Sequence, residues 1–194
     1  MDNLVNIGMV ALVVLFQEEI RHFFSTIGST SKSKWVMRLF KSQKEEVQHE
    51  DVMPIVLACL NMGKQKEGAL IVIERHTGLK EIIRTGELID ADINQRLIEN
   101  IFFKNSPLHD GAMVISKQRI TAAGCILPVS HNNDIPRSLG LRHRAALGMT
   151  QQSDCLAIVV SEETGNISVA EDGHFHLKLT AEELERILTE AWIA

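Results

Sequence analysis

The sequence predicts an α/β protein: a single globular domain whose central mixed β-sheet is surrounded by helices and preceded by an N-terminal helix. Short apolar runs rich in β-branched residues alternate with segments of helical periodicity, as is typical of this class. The 194 residues suffice for one core, and 45% hydrophobic against 23% charged residues is the balance of a soluble globular protein.

The N-terminal part is predicted to be a unit of its own over residues 1–30, followed by one domain over 31–194. Residues 4–16 are apolar but fall short of the roughly 20 residues that span a bilayer. They form either an amphipathic helix lying on the domain or the end of a transmembrane helix. Residues 25–34 are small, polar and basic, which is typical of a linker.

Helices and strands alternate through the rest of the chain. Predicted helices cover 52–65, a segment beginning after Asp92 with its apolar residues on one face (Ile93, Leu97, Ile98 and Ile101), 137–149, and a last helix opened by a Thr180–Glu183 capping box. Predicted strands cover 69–74, 112–116, 119–129 and 155–161, followed by a hairpin over 167–179 that turns at Asp172 and Gly173. A tight Lys117–Gln118 turn joins the second and third strands.

Charge and cysteine content narrow the possible partners. A formal net charge of -5 disfavours nucleic acid, although a single nucleotide needs only a local cluster of donors. The three cysteines, Cys59, Cys125 and Cys155, are odd in number and lie in apolar runs, so we expect buried reduced thiols. Reduced thiols favour the cytoplasm.

The first polar segment with chemical potential is NSPLHDGA, residues 105–112, which leads into a predicted strand. An Asp-Gly pair alone is a common turn signal. His109 beside Asp110 places an imidazole next to a carboxylate, which can bind a divalent cation or accept a proton from a hydroxyl. Gly111 and Ala112 add no bulk, so a nucleotide could lie against the backbone.

Two further segments favour phosphate. GLRHRAA, residues 140–146, begins a helix, and although such a cluster is usually a solvated patch, guanidinium groups beside free helical N–H groups favour an anion. SEETG, residues 161–165, is either a plain acidic turn or a set of hydroxyls and carboxylates that holds a phosphate tail and its metal ion. The three segments together favour a metal-nucleotide site.

The runs GALIVIERHTGL, NSPLHDGAMVI, GLRHRAALGM and IVVSEETGNISVAEDG, in this order and spacing, resemble the catalytic domain of bacterial diadenylate cyclases of the membrane-anchored CdaA type. The resemblance covers about residues 45–190. It implies an enzyme, a nucleotidyltransferase that condenses two ATP molecules into cyclic di-AMP with release of pyrophosphate. Because one domain holds one ATP, closing the ring requires a face-to-face homodimer with twofold symmetry.

The resemblance also implies a role for individual residues. Asp110 is expected to help activate the ribose 3′-hydroxyl, and Leu127 to lie beside the adenine. Catalysis and phosphate handling are implied for Asp110, Arg142, His143 and Arg144; nucleotide contacts for Gly111, Ala112, Leu127, Gly140, Leu141, Ser161 and Thr164; and a divalent metal, Mg²⁺ or Mn²⁺, for His109, Asp110 and Glu163.

Two positions depart from the family pattern. Many relatives have Thr in place of Leu141 and an aromatic residue in place of Ile126, so ATP binding or base contacts are expected to change. Two other functions compete with the enzyme. A module that senses ATP or cyclic di-AMP without turnover is disfavoured by the intact Asp110 and Arg-His-Arg motif, and a membrane-associated scaffold leaves the polar clusters unexplained.

The N-terminal run LVVLFQEEIRHFF is similar to the segment that follows the last transmembrane helix in that type. The resemblance implies location at the cell membrane, with the catalytic domain facing the cytoplasm and this chain a soluble, truncated form. It further implies a membrane regulator and phosphoglucosamine mutase as partners.

Overall fold

The computed structural model describes residues 52–130 and 139–193. The predicted N-terminal helix, the linker and the boundary near residue 30 lie outside these ranges. Within the described ranges, no helix has the length and apolar character needed to cross a membrane.

Helices and strands alternate along the described chain, as the sequence predicts. The helices are α1 (Met53–Gln65), α2 (Lys80–Ile83), α3 (Gln95–Phe102), α4 (Leu141–Gln152) and α5 (Ala181–Ile193). The strands are β1 (Ala69–Ile73), β2 (Glu87–Asp92), β3 (Ala112–Ser116), β4 (Arg119–Cys125), β5 (Leu156–Val160), β6 (Ile167–Glu171) and β7 (His174–His176).

All seven described strands form one mixed sheet in the order β2-β4-β3-β1-β5-β6-β7. β1 and β3 are parallel, and every other neighbouring pair is antiparallel. Every residue of β1 and β5 is buried, which explains why these strands read as continuous apolar runs. The predicted mixed sheet is confirmed.

Helices cover both faces of the sheet. Successive side chains of a strand point to opposite faces, and β1 shows this alternation. Ala69, Ile71 and Ile73 pack in a core cluster with α1, α3 and α5, whereas Leu70 and Val72 pack in a second cluster with α4 and the residues around α2. Helix α4, which contains most of the GLRHRAA segment, is therefore held on one face of the sheet by its own apolar contacts.

Local signals account for several element boundaries. The Asn94 side chain accepts hydrogen bonds from the backbone N–H of Arg96 and of Leu97, so α3 begins at Gln95 and not directly after Asp92. The Thr180–Glu183 capping box is confirmed, with Thr180 N donating to Glu183 Oε2 at 2.9 Å and Glu183 N to Thr180 Oγ1 at 3.3 Å.

Other boundaries differ from the prediction. The strand expected over 119–129 ends at Cys125, because Gly124 is left-handed (φ 67°) and Pro128 has no N–H for the ladder. The helix expected from residue 137 begins at Leu141, after an extended Gly140. Neither α2 nor β2 is predicted by the sequence patterns.

Both predicted hairpin turns are present. Lys117 and Gln118 have φ of 50° and 60°, and Asp172 and Gly173 have φ of 49° and 73°. Two successive left-handed residues match the right-handed twist of the flanking strands. The turns thus fix the register of β3 with β4 and of β6 with β7.

The three cysteines are free and buried, as predicted. Burial raises the pKa of the Cys59 thiol to about 12, and those of Cys125 and Cys155 to about 11. Because the thiolate is the reactive form, these residues are inert packing groups.

Candidate active site

Four strand ends bring the predicted segments to one edge of the sheet. β1 and β3 run in parallel, so Gly68 and Asp110, which precede them, lie at the same edge. Ala69 pairs with Val160, which places Ser161 there as well. Ala112 pairs with Cys125, so the residues after β4 emerge at that edge.

Gly111 lets the backbone of the Asp-Gly-Ala motif lie against the end of β4. Its φ is 126°, and a β-carbon at this position would lie 2.6 Å from the carbonyl carbon of Gly124 and 2.9 Å from the oxygen of Cys125. Both contacts are with backbone, so no side chain fits. The motif presents Asp110 to solvent with 88% of its side chain exposed.

His109 and Asp110 lie side by side, and together they could bind a metal ion or accept a proton. His109 Nε2 lies 3.8 Å from Asp110 Oδ1, and the imidazole is 28% exposed. His109 Nδ1 is 2.6 Å from the carbonyl oxygen of Ser106. Because a carbonyl only accepts, Nδ1 carries the proton, and in the neutral ring Nε2 has the free lone pair.

Arg142 is held at this edge of the sheet by an ion pair with Glu162, and Gly68, which has no side chain, leaves the space that it occupies. Its Nη1 donates to Glu162 Oε2 at 2.8 Å, and the Arg142 side chain is 22% exposed. A β-carbon at Gly68 would lie 2.5 Å from Nη1 of Arg142 and 3.1 Å from Oε2 of Glu162. Gly68 therefore makes the room in which this ion pair sits.

His143 lies on the other side of α4, within the protein. It is 6% exposed, and its ring meets that of Phe175 edge-on at 5.8 Å between centroids. Burial lowers the pKa of His143, which favours the neutral imidazole. The structure thus gives His143 a contact that anchors α4, while its catalytic role stays a prediction.

Arg144 follows on the partly exposed surface of α4, and its backbone fixes the chain beyond β4. Ser130 N donates to the carbonyl oxygen of Arg144 at 3.0 Å. One turn later, a β-carbon at Gly148 would lie 2.3 Å from the carbonyl oxygen of Pro128, so α4 and the segment after β4 touch.

At the start of α4, the N-cap residue Gly140 has an extended backbone, and the Leu141 side chain is 77% exposed.

The Ser161–Gly165 loop is closed by its own hydrogen bonds. Ser161 Oγ accepts from Thr164 N at 3.2 Å, and Ser161 O accepts from Gly165 N at 2.8 Å. A β-carbon at Gly165, whose φ is 76°, would lie 2.3 Å from the carbonyl oxygen of Gly63 in α1. The loop is therefore fixed against α1, with the Glu163 and Thr164 side chains exposed.

The segment after β4 presents one side chain outward and one inward. Ile126 is 69% exposed, whereas Leu127 is 8% exposed and belongs to the cluster that includes Ala146. The backbone N–H of Ile126 donates to Thr85 Oγ1 at 2.9 Å. Thr85, which no sequence motif marks, thus shapes the chain at this point.

The structure brings the three predicted segments to a common edge but does not assemble a metal centre from side chains. Within the described residues, no group of three or more His, Cys, Asp or Glu side chains could hold an ion. His109 and Asp110 are paired, and Glu163 lies on the separate Ser161–Gly165 loop. Gly68 and Glu162 join the site through Arg142. Both lie in runs that the sequence marks, GALIVIERHTGL and SEETG, but no individual role was predicted for either residue.

Known proteins share both the sequence and the fold of this chain. Cyclic di-AMP synthase CdaA of Bacillus subtilis is 40% identical over 188 residues, which are 97% of this chain and 67% of that protein. The diadenylate cyclase of Listeria monocytogenes is 38% identical over 187 residues, covering 96% of this chain and 67% of that protein.

Two solved structures are also similar to this chain in fold and sequence. The crystal structure of a double cysteine mutant of DacA from Staphylococcus aureus matches with a TM-score of 0.73 and 43% identity, over 75% of this chain and 97% of that chain. A hypothetical membrane spanning protein from Bacillus cereus matches with a TM-score of 0.65 and 33% identity, over 87% of this chain and 80% of that chain.

The match to a family model covers the sheet and all three polar segments. It extends over residues 56–175, from α1 to β7, and the family is described as the DisA bacterial checkpoint controller nucleotide-binding domain, DAC. The sheet edge, the Asp-Gly-Ala and Arg-His-Arg motifs and the relatives agree. This chain belongs to the DAC family.

Proposed function

We propose that this chain is a diadenylate cyclase, which condenses two ATP molecules into cyclic di-AMP and two pyrophosphates. The observation that carries the proposal is the convergence of Asp110, Arg142 and Ser161 on one edge of the sheet, in a chain of the DAC family. The names of its relatives in Bacillus and Listeria support the same reaction.

In this proposal, Asp110 orients and helps deprotonate the ribose 3′-hydroxyl. Its exposed carboxylate has the freedom to reach a bound nucleotide, and the neighbouring Gly111 and Ala112 leave room for it. A hydroxyl is a weak nucleophile at neutral pH, so alignment with the α-phosphate of the second ATP is the main requirement. Leu127 and the exposed Ile126 would adjoin the adenine.

The phosphates are assigned to α4 and to the Ser161–Gly165 loop. Arg142 and Arg144 neutralise the charge that builds up on the α-phosphate and the leaving pyrophosphate, and Gly140 and Leu141 supply helical N–H groups. Ser161 and Thr164 contact the phosphate tail. His143 is proposed to position the two arginines by anchoring their helix on Phe175.

A divalent cation, Mg²⁺ or Mn²⁺, is assigned to donors that lie partly together: His109 and Asp110 are paired, and Glu163 would join them from the Ser161–Gly165 loop. His109 offers a free Nε2 because Nδ1 is bound to a carbonyl, an arrangement that orients imidazole ligands in metal sites. We assign the metal to His109, Asp110 and Glu163, with ATP phosphate oxygens completing its shell, since Mg²⁺ is commonly shared with substrate phosphates. When bound, the cation stabilises negative charge on the phosphates.

Two chains are proposed to act together. One domain has one candidate nucleotide-binding edge, whereas the ring of cyclic di-AMP contains two nucleosides and two phosphodiester bonds. Two such edges facing each other supply one donor and one acceptor for each bond, which gives a homodimer of twofold symmetry. The exposed Ile126 and Leu141 lie near the edge that would face the second chain.

We place the protein at the cell membrane with this domain on the cytoplasmic side. The similarity to a membrane spanning protein from Bacillus cereus and to CdaA supports this location. A membrane regulator and phosphoglucosamine mutase are the proposed protein partners.

The function is tested by incubating the purified chain with ATP and Mg²⁺ or Mn²⁺ and separating the products by chromatography. We expect cyclic di-AMP and pyrophosphate in a ratio of one to two. Tight binding of ATP or cyclic di-AMP without any product would contradict the enzyme and support a sensing module.

A further inference from the structure

The turn between α2 and β2 touches the end of β4 at the candidate active site. A β-carbon at Gly86 in this turn would lie 2.5 Å from the carbonyl oxygen of Ala123 and 3.0 Å from the backbone nitrogen of Cys125. Both distances are shorter than ordinary contacts, so it is a glycine that lets the turn lie this close. The turn therefore supports the chain just before it leaves β4.

Thr85, the residue before Gly86, uses its hydroxyl as both donor and acceptor. Thr85 Oγ1 donates to the carbonyl oxygen of Ile82 at 2.6 Å and accepts from the backbone N–H of Ile126 at 2.9 Å. Because the first bond takes the hydroxyl proton, a lone pair is left for Ile126. The backbone N–H of Thr85 also donates to the carbonyl oxygen of Ile82, at 3.0 Å, so the end of α2 holds the threonine in place.

The segment after β4 is held at both of its ends. Thr85 bonds its first residue, Ile126, and at the other end Ser130 N donates to the carbonyl oxygen of Arg144 in α4 at 3.0 Å. Between these two bonds the Leu127 side chain is buried, whereas the Ile126 side chain is exposed. Thr85 therefore sets the orientation of the first peptide group of the segment, and with it the direction in which Ile126 projects.

The Thr85 hydrogen bond contributes little to folding. Both Thr85 and Ile126 are exposed, so a backbone N–H that lost this acceptor would bond to water instead. The bond fixes the geometry of the segment more than it stabilises the fold. A segment that is already fixed in its binding conformation loses less entropy when a ligand binds, which raises affinity.

We propose that Thr85 is a positioning residue for the base of the bound nucleotide, an inference that rests on the proposed function. A β-carbon at Gly111 would lie 2.9 Å from the carbonyl oxygen of Cys125, so the residue after β4 lies beside the Asp-Gly-Ala motif. Asp110 is assigned to the ribose, and the base is bonded to that ribose. The adenine therefore packs against the exposed Ile126, and Thr85 holds the backbone from which this side chain projects.

Thr85→Val tests this role, because valine has nearly the shape of threonine but can neither donate nor accept. We expect the KM for ATP to rise about five- to tenfold and kcat to stay within about twofold, since one hydrogen bond to the segment is lost and the reacting groups are untouched. Thr85→Ser keeps the hydroxyl and should retain the wild-type KM. A loss of folded chain would lower kcat and leave KM unchanged, so the two explanations can be separated.

Binding is also measured without turnover. The probe is 3′-deoxy-ATP with Mg²⁺, which lacks the attacking hydroxyl, and its dissociation constant should rise about five- to tenfold in Thr85→Val. Inorganic triphosphate has no base, so its binding should not change. Thr189→Val is the matched control: it removes a hydroxyl that donates to the carbonyl oxygen of Glu185 at 2.8 Å within α5, on the other face of the sheet, and should alter neither constant.

Three results would overturn the role of Thr85. They are an unchanged KM and dissociation constant in Thr85→Val, a loss of affinity that Thr85→Ser shares, and an equal weakening of inorganic triphosphate binding. Wild-type chain that makes no cyclic di-AMP contradicts the proposed function instead, and 3′-deoxy-ATP binding then still tests Thr85.

Discussion

Gly68→Ala tests whether Arg142 contacts the phosphates from the position that it has in the structure. The added β-carbon would lie 2.5 Å from Nη1 and 2.8 Å from Cζ of Arg142, where ordinary contacts begin at 3.4 Å. The guanidinium must therefore move by about 1 Å, while the backbone, which is not left-handed at Gly68, accepts alanine. The change displaces the group to which we assign phosphate contacts, without touching the core.

The expected loss is that of one well-placed bond to phosphate. A hydrogen bond involving a charged group contributes about 1.5 to 3 kcal/mol, which corresponds to a loss in kcat/KM of about 10- to 150-fold. Arg142→Ala sets the upper limit of this loss, since it removes the group entirely. The free energy of unfolding should change by no more than about 0.5 kcal/mol, because the displaced atoms end a flexible side chain.

The assay is cyclic di-AMP formation over a range of ATP concentrations, with thermal unfolding measured in parallel. Gly78→Ala is the matched control, since a β-carbon there meets nothing within 4 Å, and it should change neither activity nor stability. Wild-type kcat/KM in Gly68→Ala would refute the role given to Arg142. So would an activity loss fully explained by unfolding.

Three further predictions concern the carboxylate, the metal and the buried imidazole. Asp110→Asn should abolish synthesis and leave unfolding unchanged, since it removes only an exposed charge; near-normal turnover would contradict its role. Excess EDTA should stop synthesis, and Mg²⁺ or Mn²⁺ should restore it; undiminished product would show that His109, Asp110 and Glu163 hold no essential metal. Burial lowers the pKa of His143 below 6.5, so the unfolded chain binds more protons below pH 6.5, and stability should fall as the pH drops from there; His143→Gln should flatten that part of the profile measured by chemical denaturation.

Patterns within single segments suffice for most of the fold. The buried runs of β1 and β5 and the capping box before α5 are each defined by neighbouring residues, and the structure confirms them. β2 carries no such pattern, because it is an edge strand whose residues are partly or fully exposed. Arg119 holds it by bonding Asp90 and Asp92, and this pairing cannot be read from either segment alone.

Some parts of the site can likewise be predicted from local patterns, whereas others depend on contacts between distant segments. The Asp-Gly-Ala and Arg-His-Arg motifs are local: the first leads into an apolar strand and the second begins a helix, and both are positions where α/β proteins tend to place ligand sites. Gly68 and Glu162 matter only because they touch Arg142, which is far from both in sequence. The inward direction of His143 likewise depends on Phe175, which a separate hairpin supplies.

The central claim, that two chains each bring one nucleotide to a shared ring, is tested most directly by specific activity over a dilution series with sedimentation in parallel. The account predicts that activity per chain falls as the dimer dissociates, and that adding Asp110→Asn chains to normal chains lowers activity through unproductive pairs. Specific activity that stays constant at concentrations where sedimentation finds only monomer would contradict it.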